Sequence, residues 1–391
     1  MKIKYLRRLD KYLGFLLVAF LSTVKYFFRK KRCYDTPEIN KILIIKFWGF
    51  GSIILAYDFF QAIRRKYPGA YICVLTLKQN SQAFELAGLI DEIIGIDIDN
   101  LFSFSHDIIK IILSLRKKAF DVSFDFEFTS RFSAIVSCLI NARKSIGFQY
   151  DGVWRGRCFS ETMHFQEDIR LRISYLKMLY FVEAETDEAL APLPLCIGNE
   201  QKAGVDNLLK ALSLLTLKPL IGININAGEL CLLRRWPKEY FVDLAQELIK
   251  LYSAQIIFIG SQDDFGYVDS AINLLPQEQQ GNVYNFAGKV SLTQLAYLMA
   301  KFKLFISNDS GPLHLAAYLK IPTVSYFGPE TPLIYGPQGE EDIVFYKNLN
   351  CSPCIRVKNY KHASCNNNQD CLTQVKPGEV LNEIKRKRIF Q

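Results

Sequence analysis

The residues best suited to bind a charged small molecule lie late in the chain, in the segment NDSGPLH. Pro312 suits the first turn of a helix, because its missing N–H costs nothing there. The free amides at such a helix start, with the helix dipole behind them, form an anion site. Asp309 can accept hydrogen bonds from sugar hydroxyls, and His314 can reach a phosphate. The alternative is an ordinary helix in which Asp309 or Ser310 is the N-cap and His314 faces solvent.

Two other segments place charged side chains directly after apolar runs. In NINAGELCLLRRWPKEYF, Arg234 and Arg235 precede a helix that begins at Pro237. They are suited to neutralise a diphosphate, since arginine favours bidentate phosphate contacts; the alternative is a solvated pair beside a packed tryptophan. In IIFIGSQDDF, Asp263 or Asp264 can hold a ribose diol or cap a helix.

A glycine-bracketed turn, Gly49-Phe50-Gly51-Ser52, separates the apolar run KILII from a helical pattern. Such a turn in an α/β enzyme holds a phosphate or positions a catalytic group. The third glycine of the dinucleotide fingerprint is missing, which disfavours a dehydrogenase.

The elements that must position these residues alternate between strand and helix. KILIIKF, AYICVL, DEIIGID, FDVSFDFEF and KSIGF are strand-like runs separated by helical patterns, which predicts a parallel sheet covered on both faces. The alternation restarts after APLPLCIGNE, with KPLIGINI, AQIIFIG, KLFISN and IPTVSYFG. We therefore predict two Rossmann-like α/β domains facing a cleft, with ligands at the carboxyl ends of the strands.

This pattern predicts five parts of the chain. They are a basic and apolar N-terminal segment (1–40), a first Rossmann-like domain (41–190) whose last forty residues are a helical excursion, a linker (191–217), a second Rossmann-like domain with a cysteine-rich tail (218–375) and a C-terminal helix (376–391).

The N-terminal segment predicts an amphipathic or hydrophobic helix. Its apolar run, 13–24, lies between Arg7-Arg8 and the basic residues 29–32. A basic helix of this length suits an anionic membrane interface; a true membrane span and a helix packed on the protein core are the alternatives. Either membrane version places the protein at the inner face of the cytoplasmic membrane, because the heavier positive charge follows the apolar run.

The formal net charge of +9 favours anionic partners such as nucleotides, phospholipids or phosphorylated glycans. The sequence has no zinc-finger, helix-turn-helix or aromatic RNA-binding signature, so nucleic acid is not an expected partner.

Four segments together resemble a known family. They are KILIIKFWGFGSIILAYDFFQAIRRKYPGA, RRWPKEYFVDLA, NFAGKVSLTQLAYLMAKFKLFISN and SNDSGPLHLAAYLKIPTVSYFGPETP, and they are similar to successive signatures of the family 9 glycosyltransferases, which include the lipopolysaccharide heptosyltransferases. The resemblance runs from about Lys41 to the end of the chain. It implies a fold of the glycosyltransferase B type and an inverting, metal-independent transfer without a cofactor. The implied donor is a nucleotide sugar, typically ADP-heptose, and the implied acceptor is the lipopolysaccharide core on the cytoplasmic side of the inner membrane.

The resemblance also implies roles for residues of the second domain. Arg234 stands where the family usually has a phosphate-binding lysine, and Lys289 matches the basic residue of the AGK segment. Asp263 or Asp264 lies near the ribose-binding acidic position. The complete set of implied donor-binding residues is Arg234, Asp263, Lys289, Asp309, Ser310, Gly311 and His314.

The glycine turn departs from the family pattern. Where the family has an aspartate, its candidate general base, this chain has Ser52, and an unactivated hydroxyl is a poor base. Another carboxylate can replace it, with Asp58, Asp125 and Glu127 as candidates. Alternatively, leaving-group stabilisation makes a base unimportant, or the chain has lost catalysis and binds a nucleotide sugar or glycolipid.

No metal is expected at the donor site. Asp97-Ile98-Asp99 has a metal-binding spacing but is interpreted as a strand end and a solvated turn. The late cysteines Cys351, Cys354, Cys365 and Cys371 are predicted to be reduced thiols, with a zinc site that includes His362 and disulfides as the alternatives.

Overall fold

The chain divides into two compact units, Met1–Leu193 and Pro194–Gln391. The structure is a computed structural model and describes residues 3–27, 38–98, 101–185, 191–214, 217–228, 232–357 and 363–390. Each unit is described by itself below.

The first unit is built on six strands. They are β1 (Lys41–Ile45), β2 (Tyr71–Leu77), β3 (Glu92–Ile96), β4 (Val122–Asp125), β5 (Lys144–Gln149) and β6 (Glu161–His164). Its helices are α1 (Ile3–Phe27), α2 (Phe50–Ile54), α3 (Tyr57–Lys66), α4 (Ser81–Ala87), α5 (Leu101–Lys117), α6 (Arg131–Ile140) and α7 (Leu171–Lys177).

These strands form one parallel sheet in the order β3-β2-β1-β4-β5-β6. Ile45 at the end of β1 is opposite Asp125 at the end of β4. Residues that follow β1 and β4 therefore come together at one edge of the sheet. The order is that of a doubly wound Rossmann sheet, in which this edge is the ligand side.

The second unit repeats this plan. Its strands are β7 (Leu220–Asn224), β8 (Gln255–Phe258), β9 (Val283–Asn285), β10 (Leu304–Asn308), β11 (Thr323–Phe327) and β12 (Ile343–Tyr346). Its helices are α8 (Asn199–Ala211), α9 (Lys238–Tyr252), α10 (Phe265–Ile272), α11 (Gln277–Gln280), α12 (Leu292–Met299), α13 (Gly311–Tyr318), α14 (Pro332–Tyr335), α15 (Asp370–Thr373) and α16 (Pro377–Arg386).

The second sheet is also parallel, in the order β12-β11-β10-β7-β8-β9. The five residues of each of β7, β10 and β11 are buried. This is the reason why the sequence shows apolar runs there and no alternation, since helices cover both faces of the sheet. The prediction of two Rossmann-like α/β domains is confirmed.

Three of the strands were not predicted from the sequence. One is β6, which lies in the stretch interpreted as a helical excursion; the other two are β9 and β12. All three have three or four residues and are edge strands, and each has half-buried or exposed positions. Edge strands do not need the continuous apolar run that marks the buried strands.

The stretch 191–217, predicted as a linker, contains helix α8. This helix belongs to the second unit, because Asp206 accepts a hydrogen bond from Tyr297 of α12 at 3.1 Å and pairs with Lys301 at 3.0 Å. The C-terminal helix predicted within 376–391 is α16, which buries Val380 and Ile384 in the core of the second unit.

The N-terminal helix is α1, and it packs on α6. Within the residues that the structure describes, no helix combines the length and the apolar character that crossing a membrane would require.

Candidate active site

In the second unit, a charged pair joins two of the predicted donor-binding residues. Nη1 of Arg234 lies 3.1 Å from Oδ2 of Asp309, and the same guanidinium donates to the carbonyl of Ala227. Both side chains are largely buried, with 19% and 6% of their surfaces exposed. This pair places a guanidinium and a carboxylate at the carboxyl ends of β7 and β10.

A network of short polar side chains lies beneath this pair. Nδ2 of Asn224, at the end of β7, donates to Oγ of Ser310 at 2.9 Å, and the hydroxyls of Ser307 and Ser310 are also 2.9 Å apart. The amide of Asn308 accepts from the backbone N–H of Trp236 at 2.8 Å and donates to the carbonyl of Ile225 at 2.9 Å. Buried polar groups that bond each other in this way fix the two strand ends rigidly.

Helix α13 begins in the middle of these residues. Ser310 is at its N-cap position but makes no side-chain capping bond, and Pro312 is in its first turn. The hydroxyl of Ser310 is bonded to Asn224 and Ser307 and does not close off the first amides of the helix. The alternative that His314 faces solvent is wrong, since only 7% of it is exposed.

The two aspartates after β8 differ in their contacts. Asp264 forms a capping box with Ser261 and lies 3.7 Å from Nη2 of Arg235. Arg235 also stacks 4.3 Å above the ring of Tyr267, whose pKa is raised by burial. Asp263, in contrast, is exposed.

Lys289 is exposed and follows β9 at the same edge of the sheet. The preceding Gly288 has φ of +72°, and a Cβ there would lie 2.2 Å from the side chain of Gln262. Only glycine is accommodated at this position, so the turn brings Lys289 close to the loop that carries Asp263.

In the first unit, the glycine turn closes on itself. Gly49 has φ of +84°, and the hydroxyl of Ser52 donates to the carbonyl of Gly49 at 2.7 Å and to that of Trp48 at 3.2 Å. The hydroxyl proton of Ser52 is therefore bonded to backbone carbonyls, which do not activate the hydroxyl as a base would. Its observed role is to hold the turn.

Glu127 is the carboxylate that lies at this turn. Its Oε1 accepts from Nζ of Lys46 at 3.1 Å and from the backbone N–H groups of Phe47 and Trp48 at 2.8 and 3.0 Å. The residue is 6% exposed. Among the described residues, no hydrogen bond reaches its second oxygen, Oε2.

Asp125 is fully buried and forms part of the scaffold beneath Glu127. It pairs with Nη2 of Arg155 at 2.6 Å and accepts from the backbone N–H of Glu127 at 2.9 Å. Burial raises the pKa of Asp125, and Arg155 opposes that rise. Arg155 also donates to the carbonyls of Glu127, Phe148 and Ser130, so this ion pair holds the loop after β4 in place.

Asp58 has a different neighbourhood. It lies in the first turn of α3 and forms an ion pair with Nε of Arg172 on α7. Only 7% of Asp58 is exposed. The observed contact joins two helices, and it engages the carboxylate that sequence analysis offered as a possible base.

The family model for glycosyltransferase family 9, described as heptosyltransferase, matches residues 108–363 of the chain. This match covers more than half of the sequence and includes the whole of the second sheet. The chain belongs to glycosyltransferase family 9. It is therefore a glycosyltransferase.

Curated relatives agree with this assignment. The chain is 28% identical over 288 residues to lipooligosaccharide heptosyltransferase 2 of Campylobacter jejuni, which covers 71% of this chain and 79% of that protein. It is 25% identical over 303 residues to lipopolysaccharide heptosyltransferase 2 of Escherichia coli, covering 75% and 84% of the two chains.

Solved structures confirm the fold of the glycosyltransferase B type. The ADP-heptose LPS heptosyltransferase II of E. coli superimposes with a TM-score of 0.70 at 23% identity, covering 89% of this chain and 98% of that one. A family 9 glycosyltransferase from Veillonella parvula gives a TM-score of 0.73 at 21% identity, with coverages of 89% and 97%.

For a family 9 glycosyltransferase, the structure brings only some of the predicted residues into contact. Arg234 bonds Asp309 directly, and Ser310 joins the network beneath them. Asp263 and Lys289 follow the neighbouring strands β8 and β9 at the same edge of the sheet.

Sequence reasoning missed the asparagines Asn224 and Asn308 that hold this edge together. The signal that was available is their position, since each is a polar residue at the last position of a fully buried strand. It also missed Lys46, the partner of Glu127. Lys46 directly follows the run KILII and is 2% exposed.

The four late cysteines lie in the part of the second unit that the structure describes. Cys351, Cys354, Cys365 and Cys371 are not joined by disulfides, and burial raises the pKa of Cys371 to about 11. Within the described ranges, no group of three or more His, Cys, Asp or Glu side chains is arranged to hold an ion. His362, offered as a spare zinc ligand, lies outside the described residues, as does Asp99.

Proposed function

We propose that this family 9 glycosyltransferase transfers heptose from a nucleotide donor, ADP-heptose, to a lipopolysaccharide-core acceptor, with inversion and without a metal ion. The names of its relatives support the sugar and the acceptor, since those proteins are lipopolysaccharide and lipooligosaccharide heptosyltransferases. A solved structure of similar fold is an ADP-heptose enzyme. We assign the donor to the second unit and the acceptor to the first, at the inner face of the cytoplasmic membrane.

The observation that carries the donor assignment is the Arg234–Asp309 pair beside the start of α13. In the proposal, Arg234 and the first amides of α13 bind the diphosphate, where a helix start and a guanidinium both favour negative charge. Asp309 accepts from sugar hydroxyls, Gly311 leaves room for the close approach of the diphosphate, and His314 contacts it from within the helix. Asp263 binds the ribose, and Lys289 contributes positive charge.

Glu127 is proposed as the general base, because it is the carboxylate that bonds the backbone immediately before the glycine turn. An acceptor hydroxyl oxygen attacks C1 of the sugar as its proton passes to Glu127. The bond between C1 and the diphosphate oxygen breaks, and ADP leaves with the electron pair. The negative charge that develops on ADP is stabilised by Arg234 and the helix amides.

The test is nucleotide release from purified protein given ADP-heptose and a truncated lipopolysaccharide core. We expect acceptor-dependent ADP release that Asp309→Ala abolishes. The matched control is Asp269→Ala, which removes an aspartate from helix α10 of the same unit. Donor turnover that does not depend on the acceptor would contradict transfer.

A second candidate function rests on Ser52, whose hydroxyl is engaged by its own turn. It is a catalytically impaired protein that binds a nucleotide sugar or a glycolipid. This function is expected to show donor binding without ADP release, together with activity that appears in Ser52→Asp.

A further inference from the structure

Helix α1 is attached to the first unit by its polar and small residues. Asp10 accepts from the backbone N–H groups of Arg131 and Phe132 at 3.1 and 2.7 Å, which supplies a carboxylate to the start of α6. Lys25, near the other end of α1, donates to the carbonyl of Cys158 at 2.8 Å. A carboxylate at a helix N-terminus is favourable, so these bonds fix α1 at both ends.

Between these two bonds, the contact is a close fit of small side chains. A Cβ on Gly14 would lie 3.0 Å from that of Arg131, and a Cβ on Gly156 would lie 2.2 Å from the hydroxyl of Ser22 and 2.4 Å from Val18. Val18 is fully buried. Among the described side chains of α1, the buried positions are therefore Gly14, Val18 and Ser22, and no leucine or phenylalanine is among them.

The opposite face of α1 is apolar and exposed. It consists of Leu13, Leu16, Leu17, Phe20, Val24 and Phe27, whose exposed fractions range from 38% to 75%. We call these six residues the outer face. An amphipathic helix that packs on a soluble core turns its apolar side inward. In α1 the order is reversed, so the apolar side faces away from the unit that carries it.

Charge indicates what this face meets. Residues 1–32 hold ten lysines and arginines and a single acidic residue, Asp10, while the whole chain has a formal net charge of +9. The other 359 residues therefore balance, with 38 basic and 38 acidic side chains. The excess positive charge of the protein is confined to α1 and the residues directly after it. Asp10, the acidic residue of this stretch, is turned inward onto α6.

We propose that the outer face of α1 docks on an anionic lipid bilayer. The leucines and phenylalanines enter the boundary between headgroups and acyl chains, and the flanking lysines and arginines contact lipid phosphates. Trp154 lies beside α1, against Phe15. It is 46% exposed, its ring is 5.5 Å from that of Phe15, and tryptophan is a residue favoured at membrane interfaces.

A second copy of the chain fits this face less well. The spacing of the outer face resembles that of a helix pair, but both flanks of α1 are basic. A parallel or an antiparallel pair would bring like charges together at each end, and such juxtaposition opposes association. An anionic bilayer neutralises the same charges.

The docking surface is tied to the acceptor side of the first unit. Arg155 donates to the carbonyl of Ser130, at the N-cap of α6, and to the carbonyl of Glu127. Helix α1 caps the same end of α6 through Asp10. A membrane that held α1 would therefore hold the proposed base near a glycolipid acceptor, a role that rests on the proposed function, whereas the docking itself does not.

The experiment is sedimentation of the full chain with vesicles of phosphatidylcholine alone and of phosphatidylcholine mixed with phosphatidylglycerol. We expect binding to the anionic vesicles that weakens with salt and that Leu16→Glu/Phe20→Glu reduces about a hundred-fold. The matched control, Ile109→Glu/Leu113→Glu, makes the same change at exposed apolar residues of α5, which are 59% and 54% exposed, and should bind as the unchanged protein does.

A second measurement does not depend on the folding of these variants. Trp154 fluorescence, obtained as the difference from Trp154→Phe, should be quenched by lipids brominated on their acyl chains. Equal binding by Leu16→Glu/Phe20→Glu, or no quenching of Trp154, would overturn the proposal. A third result would also overturn it: the unchanged protein binds neither kind of vesicle and is a dimer, and the same substitutions convert it to a monomer. A second copy of the chain would then cover the outer face.

Failure of this proposal is separable from failure of the proposed activity. Transfer to a deacylated, water-soluble core by a protein that does not bind vesicles would refute the docking proposal and support the proposed activity. Vesicle binding without transfer would keep the docking surface and remove the activity.

Discussion

At the residue scale, three carboxylates that look alike in the sequence do different work. Asp125 is fully buried and pairs with Arg155, and Asp58 joins α3 to α7 through Arg172. Glu127 bonds the backbone immediately before the glycine turn. The sequence offered all three as replacements for a missing aspartate. Their contacts distinguish them, because Glu127 bonds the residues that lead directly into the turn at which the family has its candidate base.

The first prediction concerns Glu127. Glu127→Gln keeps an oxygen that can accept from the backbone N–H groups of Phe47 and Trp48, but it removes the negative charge that takes a proton. We expect kcat to fall about 10²–10⁴-fold, as general-base loss does, with donor affinity unchanged because the donor is assigned to the second unit. Steady-state ADP release and calorimetric ADP binding measure the two quantities.

Asp58→Asn is the comparison for Glu127→Gln. It breaks the ion pair with Arg172, and we expect a loss of about 1–3 kcal/mol in the free energy of unfolding with little change in kcat for the folded fraction. A loss of turnover in Asp58→Asn that exceeds the loss in Glu127→Gln would move the base assignment to Asp58. Denaturant unfolding provides the stability value.

The second prediction concerns the guanidinium of Arg234. Arg234→Lys keeps the charge but removes the planar fork that allows bidentate phosphate contact. We expect ADP to bind about 10–100-fold more weakly, the equivalent of one charged hydrogen bond. Arg235→Lys is the control, because Arg235 is engaged with Asp264 and Tyr267, and it should change ADP binding much less. Equal losses in both variants would contradict a specific contact between the diphosphate and the guanidinium of Arg234.

At the element scale, the site depends on amide side chains that end buried strands. Asn308 closes β10 and bonds the backbone N–H of Trp236, and the indole of Trp236 donates to the carbonyl of Val375 at 2.9 Å. This chain of bonds fixes the short segment that carries Arg234 against β10. The position of the guanidinium is thus set by a residue that does not touch the proposed substrate.

The third prediction follows from that arrangement. Asn308→Leu leaves the N–H of Trp236 without its acceptor, and a buried unpaired donor costs about 1–3 kcal/mol. We expect destabilisation together with weaker ADP binding. Ser325→Ala is the matched control, a buried polar residue at the centre of β11 whose hydroxyl makes one long bond of 3.5 Å. Weaker ADP binding in both variants would show that loss of stability alone is responsible.

How much of this the sequence predicts depends on the kind of signal. Buried strands such as β1 and β10 are apolar runs, so these strands and the turns that follow them were found. Edge strand β6 has only half-buried and exposed positions and was missed. Asn308 was missed as a positioning residue because an asparagine in the sequence looks the same whether it lies in a loop or makes buried hydrogen bonds. Only the pairing of strands decides which asparagines meet.

At the scale of the whole molecule, each unit has its own six-stranded sheet and its own core. The second unit, Pro194–Gln391, contains every residue assigned to the donor, and α16 completes its core. The first unit contains Glu127, the glycine turn and α1. Donor binding, proton removal and membrane docking are therefore assigned to parts that can be tested separately.

The last prediction uses this division. A chain cut at Pro194 and extending to residue 391 keeps α8, whose ion pair between Asp206 and Lys301 lies within the unit, and loses no strand of the second sheet. We expect it to fold and to bind ADP with an affinity within about ten-fold of the full chain, and to release no ADP from ADP-heptose when acceptor is added, because Glu127 is absent. The matched control carries Arg234→Lys in the same fragment and should lose ADP binding as the full-length variant does. A folded fragment that binds no ADP would mean that the nucleotide requires residues of the first unit, and the donor would then have to be reassigned to both.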